Sequence, residues 1–375
     1  MKNSVKILFY DDEALGLMND PLTRSGGAAR QVLAWSKGLE SIGVKTMIAG
    51  GHSNNDLGRI YRNARILYNP NRGIRKLRFF YIRLPRIFLS LKRIKPDFIY
   101  YGIPSNFAGI LAIMAKISGI KFILRVSSDI FVDSRVNKNL NTVNYILFKI
   151  GFTLANIILC QNNYQYSCLI KKYPSKTCKL RNPYIGNIVE NPLPVEERKC
   201  IAWVGNIRYP KNVPLLLEIV KALPQVHFKL AGSVLIHADK DSRYSFNLLK
   251  EMPNVRILGN INPEEVLSLL KEAYILLNTS HYEGFSNTYL EAFSVGTPVF
   301  APAHNDPDNI IKSYQLGYGY KGITDLVEEF NALVINNEKF TRLSSNCLQY
   351  MRDNHDLIYQ SNKFLKIISD NKESD

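Results

Sequence analysis

Residues 278–302 read NTSHYEGFSNTYLEAFSVGTPVFAP, and the fold follows from how this stretch divides. The apolar run Tyr274–Asn278 leading into it is a buried-type β-strand. A polar loop follows, and Ser286, Asn287 and Thr288 each offer a side-chain oxygen where a helix must begin. That helix carries Leu290, Glu291, Ala292 and Phe293 and stops at Gly296, a natural C-terminal glycine. Thr297 and Pro298 then lead into a further strand, Pro298–Ala301. Strand, loop, helix and strand in this order form one repeat of an α/β architecture.

Reading outward, the same alternation runs along the chain. Strands are expected at Val5–Tyr10, Thr46–Ala49, Phe98–Tyr101, Lys121–Val126 and Ile157–Cys160. A second series comprises Ile201–Val204, His227–Ala231, Val255–Leu258, Tyr274–Asn278 and Pro298–Ala301. Short continuous apolar strands separated by helical stretches indicate parallel sheets covered on both faces. Two series indicate two Rossmann-like halves, and 375 residues suit two cores better than one. The break falls in NPYIGNIVENPLPVEERK, residues 182–199, which holds three prolines and no helical period. The expected domains are therefore residues 1–183 and 200–356, joined by a linker at 184–199. A helical tail runs from about Asp325 to Ser369, and a terminal helix at about 357–375 is expected on the first domain.

The chemistry available at 283–291 suits a nucleoside diphosphate. A helix N-terminus offers amide donors and the positive end of the helix dipole. Gly284 lets backbone approach a ligand closely. Glu291, one turn inside the helix, is placed to accept from vicinal ribose hydroxyls, and Glu283 in the loop to meet the hydroxyls of a sugar. Two solvated glutamates beside an ordinary helix start would present the same residues. The longer string is more specific. Glu283, seven residues, Glu291, with Gly284-Phe285 and Gly296-Thr297-Pro298-Val299, resembles the signature of glycosyltransferase family 4. This resemblance implies the GT-B fold, two Rossmann-like domains whose parallel sheets face each other across a cleft. It implies that Glu291 binds ribose, that Glu283 contacts the donor sugar, and that the backbone of Ser286, Asn287 and Thr288, with Gly284 and Phe285 before it, holds the distal phosphate.

Further segments sit in family order. In WVGNIRYPKNVPLLLEIVKAL, residues 203–223, Lys211 falls on the family's diphosphate-gripping lysine. Asn206 stands where the family usually has arginine, and Arg208 lies two residues on as a possible substitute. A departing diphosphate gains negative charge, which fixed cations stabilise; a lysine beginning an exposed helix is the plain alternative. Gly232 and Ser233, then Gly259 and Asn260, follow strands where the family frames the nucleobase. In RSGGAARQVLAWSKGLESIG, residues 24–43, Gly26 and Gly27 resemble the family's glycine loop. After Phe122–Val126, Ser127, Ser128 and Asp129 replace a histidine found in many relatives. Asp129 takes either a polar role at the cleft or the cap of the next helix. Asp306-Pro307-Asp308 has a DxD form, but its position after the glutamate pair differs from that of metal-dependent transferases, and no metal or other cofactor is expected beyond the nucleotide-sugar substrate.

Composition narrows the partners. The formal net charge is +16 and the isoelectric point about 9.5, which implies an anionic partner. The five cysteines lack CxxC spacing, as expected for a reduced compartment. The N-terminal apolar run is too short for a secretory signal, and no transmembrane helix is expected. Residues 72–95, RGIRKLRFFYIRLPRIFLSLKRIK, hold nine Lys or Arg and no acid. Apolar and aromatic side chains interleave with them, as in helices that lie on anionic membranes. Arg75, Lys76, Arg78, Phe79, Phe80, Arg83 and Arg86 are the candidate contacts with membrane or acceptor. An ordinary basic surface is the competing reading; no RNA-binding signature is present and no nucleic-acid partner is expected. Together these features lead us to expect a cytoplasmic, peripherally membrane-bound retaining hexosyltransferase. It would move a hexose or N-acetylhexosamine from a nucleotide-sugar, UDP before GDP, to a lipid-linked or polysaccharide acceptor in bacterial surface-polysaccharide synthesis. A GT-B epimerase or a non-catalytic nucleotide-sugar-binding protein remain open alternatives.

Overall fold

Side chains alternate across a strand, so a strand buried on both faces must be apolar at every position. The first strand, β1 (Lys6–Tyr10), shows this directly. Ile7 and Phe9 enter one core and Leu8 and Tyr10 another, on opposite faces of the same sheet. The computed structural model describes residues 5–372 apart from 21, 24–25, 55, 76 and 139. The chain divides into two compact units, residues 1–185 with 356–375, and residues 186–355.

The strands of the first unit are β1, β2 (Lys45–Gly51), β3 (Ala64–Tyr68), β4 (Phe98–Tyr101), β5 (Lys121–Arg125), β6 (Ile157–Cys160) and β7 (Thr177–Lys179). They form one sheet in the order β3-β2-β1-β4-β5-β6-β7, with parallel pairing throughout. The helices are α1 (Asp12–Asn19), α2 (Gly27–Ser41), α3 (Leu57–Ile60), α4 (Leu84–Ile94), α5 (Asn106–Ile117), α6 (Thr142–Leu154) and α7 (Asn163–Ile170). Ile87 and Leu91 of α4 share a core with α5, α6 and α7, whereas α1, α2 and α3 cover the other face. This follows from handedness: the sheet grows to one side of β1 and then to the other, and right-handed crossovers must switch face. Near the end of the chain, α15 (Leu357–Lys372) belongs to this unit and places Phe364 edge-on against Trp35 of α2, with ring centroids 4.9 Å apart.

The second unit carries β8 (Cys200–Val204), β9 (Phe228–Ala231), β10 (Val255–Gly259), β11 (Ala273–Leu277), β12 (Val299–Pro302) and β13 (Gly317–Tyr320). They form a second parallel sheet, ordered β10-β9-β8-β11-β12-β13. Its helices are α8 (Val213–Ala222), α9 (Lys240–Lys250), α10 (Pro263–Lys271), α11 (Asn287–Ser294), α12 (Ile310–Ser313), α13 (Ile323–Val334) and α14 (Asn337–His355). The helical tail comprises three helices, α13, α14 and α15. Its breaks are written in side chains that terminate or start helices: Asn336 Oδ1 accepts from Lys339 N at 2.8 Å, and Asp356 Oδ1 from Tyr359 N at 2.7 Å.

The basic segment folds as a π-helical turn, Phe79–Arg83, running straight into α4. Leu84 N donates to Phe79 O, five residues back. Pro85 explains the widening, because it has no N–H to donate and its ring collides with the preceding turn of a regular helix.

Candidate functional site

In the second unit the strand ends β8, β9 and β11 deliver the loops that matter. The Trp203 indole donates to Thr279 Oγ1 at 3.1 Å, and Thr279 Oγ1 donates to Lys211 O at 2.7 Å. This relay ties the end of β8, the turn Tyr209–Lys211 and the end of β11 together. Gly205 lets the lysine stem lie across it: a Cβ there would stand 3.2 Å from Lys211 Cε. Lys211 Nζ then donates to Glu283 Oε1, and Ser280 Oγ donates to the same oxygen at 2.8 Å. The lysine and glutamate side chains are 15% and 17% exposed, so the pair is largely desolvated but still reachable. Burial alone would raise the Glu283 carboxyl. The Lys211 charge and hydrogen bond, the Ser280 hydroxyl and the Arg208 charge outweigh it and hold the group below the ordinary carboxylate value. Glu283 is therefore ionised at neutral pH.

Directly beyond lies the start of α11. Ser286 is its N-cap but makes no side-chain cap to the helix. Its hydroxyl pairs instead with Thr288 Oγ1 at 2.8 Å. Lys211, Thr279, Ser280 and Thr288 line one pocket floored by Trp203 and Leu277. A cation and a helix N-terminus thus converge on a single concavity, an arrangement that favours a bound anion. Gly284 is buried, and Phe285, Asn287 and Glu291 are half-buried along the same loop and helix. Phe285 lies against His355 with ring centroids 5.4 Å apart and the planes tilted by 40°.

Gly232, at the end of β9, has φ +136° and lies so close to Gly205 O that a Cβ would come within 2.0 Å of it. Gly232 N donates to Gly259 O at 2.7 Å, and Ile207 N to Ser233 O at 3.0 Å. These contacts draw the Gly232–Ser233 and Gly259–Asn260 turns alongside the Gly205–Asn206 loop. Asn206 is half-buried, whereas Arg208 and Asn260 are exposed. Arg208 reaches Glu283 through its field. Asp306 accepts from the backbone N–H groups of Ile311 at 2.8 Å and Lys312 at 3.1 Å. In this position the DxD-like aspartate secures the start of α12.

The first unit holds the remaining candidates. Gly26 caps α2, and its amide donates to Glu13 Oε2 at 2.7 Å, so this loop is tied to a carboxylate of its own unit. Gly27 is the first residue of α2. Asp129 begins a short 3₁₀ turn. Its Oδ1 accepts from Asn162 Nδ2 at 3.0 Å and Gln165 Nε2 at 2.8 Å, which braces the start of α7. Burial, the largest influence, raises the Asp129 pKa. Arg75, Phe80 and Arg86 are exposed, and Arg78, Phe79 and Arg83 half-buried. Lys76 and residues 24–25 lie outside the described residues. Thr279, Ser280 and Gly205 were not singled out from sequence. The glycine after Val204 was the one available signal, since a serine and a threonine in a loop announce nothing by type.

Comparison with known proteins agrees with this geometry. Residues 186–349 match the family model described as glycosyl transferases group 1. Among curated proteins, "Glycosyltransferase 1 domain-containing protein 1" of Xenopus tropicalis is 28% identical over 109 residues, 29% of this chain and 32% of that protein. "Alpha-monoglucosyldiacylglycerol synthase" of Streptococcus pneumoniae is 28% identical over 138 residues, 34% of this chain and 30% of that protein. These matches span about a third of each curated relative. Among solved structures, Anabaena HepE in complex with UDP and glucose aligns with TM-score 0.75 at 15% identity, covering 98% of this chain and 100% of that one. Sucrose-phosphate synthase from Thermosynechococcus elongatus aligns with TM-score 0.77 at 15% identity, covering 99% and 100%. At such identity the likeness establishes the fold, which is GT-B.

Proposed function

We propose, from the premise that residues 186–349 belong to the group 1 glycosyl transferases and that the whole chain has the GT-B fold, that this protein is a retaining glycosyltransferase. The observation that carries the reading is Lys211, paired with Glu283, lining one pocket with Thr288 of the first turn of α11. In a nucleotide-sugar, the bond from the anomeric carbon to the diphosphate breaks and the diphosphate gains charge. Lys211 and the α11 amides stand where that charge is stabilised. Both hydrogen bonds to Glu283 end on Oε1. Its Oε2 is assigned to a hydroxyl of the donor sugar, and Glu291 to the ribose. The acceptor oxygen attaches to the same face of the sugar, and its proton passes to the departing phosphate oxygen. No protein base is needed, which accommodates Asp129 as a brace rather than a proton acceptor. The donor is a UDP-sugar in preference to a GDP-sugar, a choice supported by the UDP and UDP-glucose complexes of HepE.

The acceptor is assigned as a lipid-linked or polysaccharide glycan of a bacterial surface polymer. The support is the first unit's basic stretch, where Leu77, Phe80 and Leu89 are 55%, 67% and 62% exposed among arginines. Such a surface docks on anionic lipid. Among the described residues no helix is long and apolar enough to cross a membrane. The test is a thermal-shift screen with UDP, GDP, ADP and their sugars, followed by NMR of the product's anomeric proton. Stabilisation by UDP and its sugars and a product of retained configuration are expected. An inverted product, or release of an isomerised free nucleotide-sugar without an acceptor, would overturn the proposal. Co-sedimentation with vesicles containing anionic lipid, but not with neutral ones, is expected; equal partitioning would remove the charge-driven docking.

A further inference from the structure

Residues 72–95 carry nine lysines and arginines, and Arg83 stands apart from its exposed neighbours. It closes the π-helical turn Phe79–Arg83 and is half-buried, whereas Arg72, Arg75 and Arg86 are exposed. Its guanidinium lies over the Tyr68 ring, 5.2 Å from the centroid. Tyr68 is the last residue of β3, so Arg83 sits at the carboxyl-terminal edge of the sheet, where open α/β folds place ligands.

The guanidinium is under-used there. Nη2 donates to Pro70 O at 3.3 Å, a long bond. Nε is buried and has no hydrogen-bond partner. Among the described residues no carboxylate pairs with it. Asp12, which reaches the same tyrosine, is already committed: Oδ1 accepts from Gly51 N at 2.7 Å and Oδ2 from Tyr68 OH at 2.7 Å. The Tyr68 hydroxyl also meets that of Tyr10 at 3.2 Å, which fixes the ring under the arginine. A half-buried guanidinium with no counter-charge beside it favours a bound anion. Nε is closed to solvent, so an anion would meet the guanidinium at its Nη groups, the edge that stacking on Tyr68 leaves presented sideways. The widened turn supplies the placement, since the extra residue per turn before Pro85 rotates position 83 towards Tyr68 while Phe80 stays 67% exposed.

We propose that Arg83 anchors a phosphate-binding subsite in the first unit that takes a phosphate or diphosphate group of the acceptor. The inference rests on the glycosyltransferase reading for the word acceptor, and on the Arg83 geometry alone for the anion. Its chemistry admits an alkyl phosphate or a free phosphate, and the experiment separates them.

Binding of decyl phosphate, inorganic phosphate and uncharged decyl glucoside to the full chain is measured by calorimetry, with UDP binding followed in the same preparations. Wild type is compared with Arg83→Gln, Arg83→Lys and Lys92→Gln; the last removes an equal charge from the exposed side of α4. The expected result is phosphate-dependent binding weakened about tenfold or more in Arg83→Gln, partly restored in Arg83→Lys, and unchanged in Lys92→Gln, with UDP binding intact throughout. Tighter binding of decyl phosphate than of inorganic phosphate assigns the group to a lipid; equal affinity assigns it to phosphate alone. Arg83→Gln affinity within twofold of wild type, equal losses in Arg83→Gln and Lys92→Gln, or equal binding of decyl glucoside overturns the subsite. If Arg83 controls phosphate binding but UDP fails to bind wild type, the donor reading falls and the subsite stands.

Discussion

Two side chains carry measurable consequences on their own. Asp11 accepts from Ala14 N at 2.9 Å and is only 8% exposed. Burial, with the nearby Glu13 and Asp12 charges, raises its pKa from 3.8 to about 6. Between these values the unfolded chain releases the proton and the folded chain keeps it, so stability falls as pH rises through that window and not below it. That difference corresponds to about 3 kcal/mol. Asn retains the capping oxygen, so Asp11→Asn should flatten the decline between about pH 4 and 6 in urea titrations; an unchanged slope would refute the assignment. Lys211→Met should leave Glu283 without its partner in a largely buried place and raise its pKa. A loss of about 1–3 kcal/mol and at least about a hundredfold in transfer rate is expected, measured by denaturation and by turnover, and turnover within tenfold of wild type would exclude a role for the ammonium. Glu283 and Lys211 were legible because each sits in a string whose order is informative. Thr279 and Ser280 were not, because they act on Lys211 O and Glu283 through hydroxyl contacts that sequence spacing does not encode.

At the scale of the element, α5 and α6 cross at unusually close range. A Cβ on Gly109 would lie 2.0 Å from Leu147 O, and one on Gly151 3.2 Å from the Ala108 Cβ. Gly109→Ala is expected to force the helices apart and cost about 1–3 kcal/mol, an overpacking penalty that outweighs the gain in helix propensity. Equilibrium unfolding checks this, and a variant as stable as wild type would show that the crossing relaxes freely. The interior strands could be read directly, since continuous apolar runs such as FIL at 122–124 admit little else. The strands that were missed, β3, β7 and β13, all lie at sheet edges. An edge strand needs one covered neighbour rather than two, so ARILY, TCK and GYGY carry polar residues and glycines that blur the pattern. The π-helical turn was equally hidden, because only Pro85 marks it and proline is also common at an ordinary helix start.

For the molecule as a whole, the first unit depends on residues that follow the second. Phe364 and Ile368 of α15 are fully buried against the core that includes Trp35. Each contributes about 1.5–3 kcal/mol, a large share of the stability of a single domain. The two tryptophans report separately, Trp35 from the first unit and Trp203 from the second. A chain cut after His355 should show red-shifted Trp35 emission in a Trp203→Phe background, while a Trp35→Phe counterpart keeps Trp203 and UDP binding unchanged. Native Trp35 emission in the cut chain would mean that α15 is dispensable. The same threading sets an order of events on the ribosome. The second unit, residues 186–355, is one uninterrupted stretch and can mature as soon as it clears the exit tunnel, whereas the first unit waits for α15, with a greasy flank beside Trp35 open until Ile368 emerges. Premature termination or ribosome stalling late in synthesis should therefore yield polypeptides whose second unit is folded while the uncovered flank beside Trp35 makes them prone to clump.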